Sequence, residues 1–355
     1  MVFEALNSIK VLSAKPIIFG NNWANSGVPT VSSPSSSFLG VGISGLGQYQ
    51  VAPIYNSRGI YVSNNYGSTW TLNSSVVDGY YDAYISYSGK YVFVPTYTNK
   101  MYKSTNFGAS FTLEYASSRP NLYFFSQDEI YHGYISSTNV LNISSNSGTS
   151  FTTSLSSIVS ARFSQNGQYQ LAISATNINV SSNYGDSYTS IVSGLTALSE
   201  TAMSLDGKYM FALTSTVLKY SSDFGATWNN STGVTGANDL QCDGTGKYVS
   251  LKTTTNVFVS SDFGVSFTSK YNSTNIWNKE ISLDGKYLIV AKETTTQLQI
   301  SNDYGETWIT RTTGITGPTS QNYLFPKLSA NGRYMLLGTN FGGSGYNNYV
   351  YRSAN

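Results

Sequence analysis

One eight-residue phrase is written seven times along this chain of 355 residues, and its spacing decides what the chain can fold into. The phrase is Ser-x-Asp/Asn-x-Gly-x-Ser/Thr-aromatic. It runs from Ser63 to Trp70, Ser104 to Phe111, Ser144 to Phe151, Ser181 to Tyr188, Ser221 to Trp228, Ser260 to Phe267 and Ser301 to Trp308. Its glycines stand at 67, 108, 148, 185, 225, 264 and 305, in steps of 41, 40, 37, 40, 39 and 41 residues. A period near forty means a repeat architecture with one supersecondary unit per repeat. Each position has a local reason. Asp or Asn accepts hydrogen bonds from the turn backbone, and Gly takes positive φ without a Cβ clash. The aromatic that follows enters the next strand, where its burial is worth about 1.5–3 kcal/mol.

A second mark, Gly-x-Tyr, precedes each phrase by some eighteen residues, as at Gly47, Gly89, Gly167, Gly207, Gly246, Gly285 and Gly332. The third repeat departs, with Asp128-Glu129-Ile130-Tyr131 in its place. The stretch before it ends in a turn such as Asp206-Gly207, a strong hairpin signal. One unit reads as strand A (201–205), strand B (209–213), strand C (217–221), the phrase, and strand D (227–230). Four short antiparallel strands per forty residues make a propeller blade.

The two ends share an eighth phrase. Phe19-Gly20-Asn21-Asn22-Trp23 matches the second half of Phe224-Gly225-Ala226-Thr227-Trp228, and Tyr351-Arg352-Ser353-Ala354-Asn355 matches its first half. Eight A-B-C units and eight D strands result if the N-terminal strand closes the last blade. An open blade would expose an unpaired edge. The expectation is an all-β, eight-bladed propeller of four-stranded antiparallel blades, closed by the N- and C-terminal strands in one blade. Seven blades is the alternative ring. Residues 1–15 read as a tail, and 16–355 as one propeller. Exchange of the N-terminal strand with a neighbouring molecule is the alternative closure, giving assembly through residues 1–23.

The phrase resembles the Asp-box of sialidase-type propellers, which is also found in sortilin-like receptors, some xyloglucan hydrolases and a photosystem assembly factor. The resemblance places the box at Asn65, Asn106, Asn146, Asn183, Asp223, Asp262, Asp303 and, in the split copy, Asn355. It implies fold rather than activity, because the family carries the box at the blade periphery. Asn replaces the preferred Asp at 65, 106, 146 and 183, keeping the acceptor and losing the charge. The style of repeat is similar to propellers of large DNA viruses, phages and environmental bacteria. That implies a surface or virion-associated protein. The marks of tryptophan-aspartate repeats are absent.

Composition narrows function. Net charge is +2 and only 11% of residues are charged, so no pull toward nucleic acid is expected. One cysteine, Cys242, and one histidine, His132, offer neither a disulfide nor a metal set. No phosphate loop or dinucleotide fingerprint occurs, so no cofactor is expected. No apolar run reaches transmembrane length, and the first residues do not read as a secretory signal.

In this strand order the A–B turns and the repeated phrases share one face, and the D–A and B–C loops share the other. The first face carries a thin basic ring of Lys90, Lys208, Lys247, Lys286 and Arg333. The second carries Tyr80, Tyr81, Tyr123, Tyr271, Trp277 and Tyr323, candidate aromatics for a glycan or protein partner. The sialidase resemblance would imply an arginine triad on a carboxylate; of six arginines only Arg162 falls in an inner strand. Inner strands read as poor in acids, and Asp82 and Glu280 are the nearest carboxylates for a glycosidase. The expectation is a non-enzymatic binding or assembly module with no catalytic residue.

Overall fold

A computed structural model describes residues 24–25, 40–54, 59–74, 76, 78–80, 82–115, 120–293, 297–311, 322–341 and 350–354. They form eight four-stranded antiparallel sheets in a ring. Blades I to VII span 42–73, 84–115, 120–155, 158–192, 200–230, 238–272 and 276–311. Blade VIII takes three strands from 322–354 and its fourth from Ala24–Asn25. Ala24 pairs with Arg352 and Asn25 with Tyr351, so the ring closes within one chain. Seven blades is excluded. Trp23, Asn355 and the tail lie outside the described residues.

Burial explains the strand sequences. Strand B is covered on both faces by neighbouring blades, as in Val92–Pro95, Met210–Leu213 and Val249–Lys252, where every residue is buried. Strand D lies at the rim and is mostly exposed, as in Thr71–Asn73 and Thr189–Val192. The core therefore sits between blades rather than within one. Phe211 and Leu213 of blade V pack with Val249, Leu251 and Phe267 of blade VI. Leu171 and Ile173 of blade IV pack with Met210 and Ala212 of blade V.

The C–D turns repeat one bonding scheme. In blade VI, Ser260 Oγ donates to Asp262 Oδ1 at 2.7 Å and accepts the Gly264 N–H at 2.9 Å. Asp262 Oδ1 accepts the Ser266 N–H at 3.0 Å, and Oδ2 accepts the Ser266 hydroxyl at 2.6 Å. Asn boxes keep the fold of the turn but reverse one bond. Asn106 Nδ2 donates to Ser110 Oγ at 2.9 Å, where Asp would accept. The residue before the glycine is also left-handed, with φ of 62° at Phe107 and 61° at Phe224. Side chains tolerate that region poorly. Here it aims the aromatic at the preceding blade, where Tyr49 stacks on Phe107, Tyr169 on Phe224 and Tyr209 on Phe263.

The A–B turns interlock in the same way. Each begins with a serine whose Oγ accepts the tyrosine N–H five residues on, as Ser204 does for Tyr209 at 2.9 Å. Blade VI substitutes Asp243, whose Oδ1 accepts the Tyr248 N–H at 3.1 Å. Successive turns are joined by main-chain bonds around the axis, including Gln165 N to Leu205 O, Leu205 N to Gly244 O, Gly244 N to Leu283 O, and Leu283 N to Ala330 O.

Candidate binding site

The axis of the ring has two unlike chambers. Toward the turns it narrows to about 320 Å³, walled by Ile43, Ile85, Phe125, Phe163, Ile281 and Leu328. These are the residues just before the turn serines, and the main-chain girdle closes around them. Toward the loops it opens to about 870 Å³, with Arg162, Glu200, Asp239, Lys252, Trp277 and Glu293 in its lining. Its charged residues come from inner strands, from the end of strand B or from a B–C loop.

Inner strands are richer in charge than their sequence reading held. Glu200 begins the inner strand of blade V, Asp239 lies in that of blade VI, and Lys279 and Glu280 in that of blade VII. Lys327 lies in that of blade VIII. Most of this charge is spent internally. Glu200 accepts the N–H groups of Asp239 and Leu240, at 3.1 and 2.5 Å. Lys279 is fully buried, with Nζ 2.9 Å from Ser250 Oγ and 3.7 Å from Asp239 Oδ1. Burial lowers its pKa, and Asp239 pulls the other way. Lys327 Nζ lies 3.4 Å from Glu280 Oε2, and Gln241 Nε2 bridges Glu280 and Asp239.

Two cations are left over. The Arg162 guanidinium donates to its neighbour Ala161 O at 2.8 Å. Among the described residues neither it nor Lys252 has a carboxylate within ion-pair distance. Burial holds Arg162 below its usual range, with Cys242 and then Glu200 acting against that. Arginine has five donors in a planar fork, of which one hydrogen bond, to Ala161 O, is made among the described residues, and Arg162 lines the chamber. Glu293 adds one acid at the rim without an ion pair among the described residues.

Asp82 and Glu280 are brought to a common neighbour, Lys327. Burial pushes both carboxyls up, and Lys327 is the strongest influence pulling each down. Sequence reasoning named both acids but not the lysine between them. It also missed Glu200, Asp239, Gln241, Lys252 and Lys279. For Glu200, Asp239, Lys279 and Lys327 the signal was present: a charge inside a short inner strand, two to four residues before the first residue of the A–B turn.

The aromatic candidates are dispersed. Trp277 is 40% exposed and lines the open chamber. Tyr80 and Tyr123 differ from the expectation of exposed rings, being 1% and 3% exposed. Tyr80 donates to Val76 O at 2.5 Å under the loop that carries it, and Tyr123 stacks on Phe93 at 3.9 Å. Tyr271 sits on the outer strand of blade VI against Trp308, away from the axis. Tyr323 pairs through its backbone with Asn340, and Tyr81 is outside the described residues. On the turn face, Lys90, Lys208, Lys247, Lys286 and Arg333 fold over the adjacent tyrosines at 5.0–5.6 Å. His132 is buried; its Nε2–H donates to Glu129 O at 3.1 Å, and in the neutral ring Nδ1 accepts from the Tyr123 hydroxyl at 3.2 Å. It fills the place of Gln50 and Gln170, whose amides reach the corresponding carbonyls of Gly47 and Gly167. No helix among the described residues is long and apolar enough to cross a membrane.

No family model matches this chain, and no curated protein does. Solved structures do match over nearly its whole length. The C-terminal WD40 domain of Sif2 superposes with a TM-score of 0.69 at 10% identity, covering 94% of this chain and 99% of that one. The Dos1 propeller gives 0.65 at 11% identity, covering 92% and 94%. YCF48 bound to D1 peptide gives 0.54 at 10% identity, covering 94% and 97%. At these identities the similarity is one of fold: the chain is an eight-bladed β-propeller.

Proposed function

We propose that this propeller is a non-enzymatic binding or assembly module whose ligand enters the open chamber on the loop face. One observation carries the reading: Arg162 and Lys252 keep donors free in a chamber whose acids, Glu293 apart, are engaged by their neighbours. An anionic group on a protein or glycan partner satisfies them, since guanidinium pairs bidentately with carboxylate or sulfate. Trp277 at the wall adds a flat apolar surface for a sugar ring or side chain. The YCF48 structure with a peptide supports a protein partner. The sequence resemblance to boxed repeats of viral and bacterial propellers supports a surface or virion setting. A combined glycan and peptide array tests this: Trp277→Ala should lose at least half of the wild-type signal, and unchanged binding would reject the site.

A second reading has its own observation. Asp82 and Glu280, both with raised pKa and both facing Lys327, meet part of what a glycosidase needs. If the chain hydrolyses glycosides, Glu280→Gln abolishes release from chromogenic substrates. Wild-type protein inert on a broad substrate panel removes that reading.

A further inference from the structure

The eight A–B turns meet around the axis, and one junction between them is built differently. Main-chain bonds join neighbouring turns: Gly45 N to Tyr87 O, Asp128 N to Gln165 O, Ala330 N to Gly45 O and the four given above. They cover every junction except that between blades II and III. There, among the described residues, the Tyr87 N–H, the Gln127 N–H and the Gln127 carbonyl have no hydrogen-bond partner.

The departure of the third repeat supplies the cause. In the other turns the fourth residue is glycine. A Cβ there would stand 2.2–2.9 Å from the tyrosine of the preceding turn, as at Gly89 against Tyr49 and Gly167 against Tyr131. Turn III has Glu129 in that place, with φ 62°. Its Cβ does not allow the same approach to Tyr91, and turn III sits off the common register. It donates to Gln165 O from Asp128, one residue later than its equivalents. The Glu129 carboxylate spans the junction instead, accepting the Ser88 N–H at 2.5 Å and the Ser88 hydroxyl at 2.8 Å.

The gap borders the narrow chamber, since Tyr87 and Gln127 both line it. No residue of that lining is charged. The hydroxyls of Ser126 and Ser329 are used within their own turns, on Asp128 Oδ1 at 2.6 Å and Asn331 Oδ1 at 3.0 Å. The volume of about 320 Å³ lies at the small end of the ligand-pocket range of about 300–1,000 Å³. That is room for one ring with a short substituent. The chamber is thus an apolar cup with one backbone donor and one backbone acceptor left over at its wall.

We propose that the turn-face end of the axis binds a small uncharged amide. Its apolar body packs against Ile85, Phe125, Phe163 and Ile281. Its carboxamide lies in the II–III gap, accepting from Tyr87 N–H and donating to Gln127 O. The amide stands in for the main-chain bond that the other junctions make. An ion is excluded because the wall offers its charge no partner. The site lies at the opposite end of the axis from the open chamber and does not depend on the reading given for that chamber.

The test uses the full-length protein, benzamide as the probe, and toluene and sodium benzoate as controls, followed by amide NMR. Benzamide at millimolar concentration should shift the Tyr87 and Gln127 resonances and slow hydrogen exchange at the Tyr87 N–H. Toluene, which lacks the amide, and benzoate, which carries a charge, should bind at least tenfold more weakly. Two variants should each weaken benzamide binding at least tenfold: Ala330→Phe, which fills the mouth of the cup, and Glu129→Gly, which lets turn III close on Tyr91 and restores the main-chain bond. In Glu129→Gly the Tyr87 N–H should exchange slowly without any ligand. No shift at tens of millimolar benzamide overturns the proposal, as does toluene bound as tightly as benzamide. Exchange at Tyr87 as slow in the wild type as in Glu129→Gly, or benzamide bound equally well by both, would equally overturn it.

Discussion

The two faces of this ring are made by opposite rules. On the turn face the seven complete boxes repeat the same serine, the same carboxylate or amide and a left-handed residue before the glycine, which is aromatic in all but blade III, where it is Ser147. Its charges are folded back on tyrosines, and its backbone is tied from blade to blade. On the loop face no two blades agree. Blade IV offers Arg162 and blade V Glu200, while blade VII offers Trp277 and Glu293. Repetition marks what the ring needs to close, and variation marks what is left for a ligand. Loops on a rigid scaffold are where binding residues concentrate.

The comparison can be broken most severely at the closure. Deleting residues 1–25 removes the strand that pairs with Arg352 and Tyr351 and leaves blade VIII an open edge. A fall of about 10 °C or more in melting temperature is expected, or aggregation. Ala24→Cys with Arg352→Cys should form a disulfide within the monomer, because the two residues are cross-strand partners. Disulfide-linked oligomers at low concentration would instead show strand exchange.

A single turn is the next scale. Ser260→Ala leaves the N–H of Gly264 and the Asp262 carboxylate without their buried partner. The cost should be about 1–3 kcal/mol by thermal unfolding, with ligand binding intact. A loss of binding larger than the loss of stability would mean that the turn face is not only scaffold.

His132 supplies a pH test. Burial pushes its pKa down to about 3 from an ordinary 6.5, with Lys103 adding to the effect and the Glu129 carbonyl opposing it. The unfolded chain takes up a proton below 6.5 while the folded chain resists, so this contribution to stability is complete above 6.5. It is lost as pH falls toward 3, at up to about 1.4 kcal/mol per pH unit. His132→Gln keeps the bond to Glu129 O in the manner of Gln50 and Gln170. It should flatten that part of the pH–stability curve, and an unchanged slope would refute the buried, neutral assignment.

The smallest effect separates the two kinds of box. Asp223 is held below the ordinary carboxylate range, chiefly by the Thr227 hydroxyl. Burial raises Asp262 and Asp303, but their combined hydrogen bonds outweigh it and leave both lowered. Their stabilisation is present above the unfolded carboxylate pKa and disappears as pH falls through the folded value. Asn146→Asp should therefore add a few tenths of a kcal/mol at pH 7 and lose the gain in acid. An equal gain at pH 3 would contradict the charge argument.

The ring was legible because its turns are chemically demanding: few residues take the left-handed pair at Phe224-Gly225, and the period of those residues counts the blades. Closure was legible from the split phrase. The chamber was not, because its residues are ordinary charges whose meaning depends on which blades face each other. Lys327 is unremarkable in sequence and acquires a role only beside Glu280 and Asp82. The aromatics misled for the same reason. Tyr80 is carried inward by its loop, and Tyr123 lies within the inner strand of blade III, packed on Phe93.

The division of labour between the faces is tested most directly by Arg162→Ala on the combined array, alongside its melting curve. Binding should fall at least tenfold while the melting temperature stays within about 2 °C of wild type, as expected of a half-buried side chain with no ion pair among the described residues. Undiminished binding by a fully folded variant would show that recognition lies elsewhere on the ring.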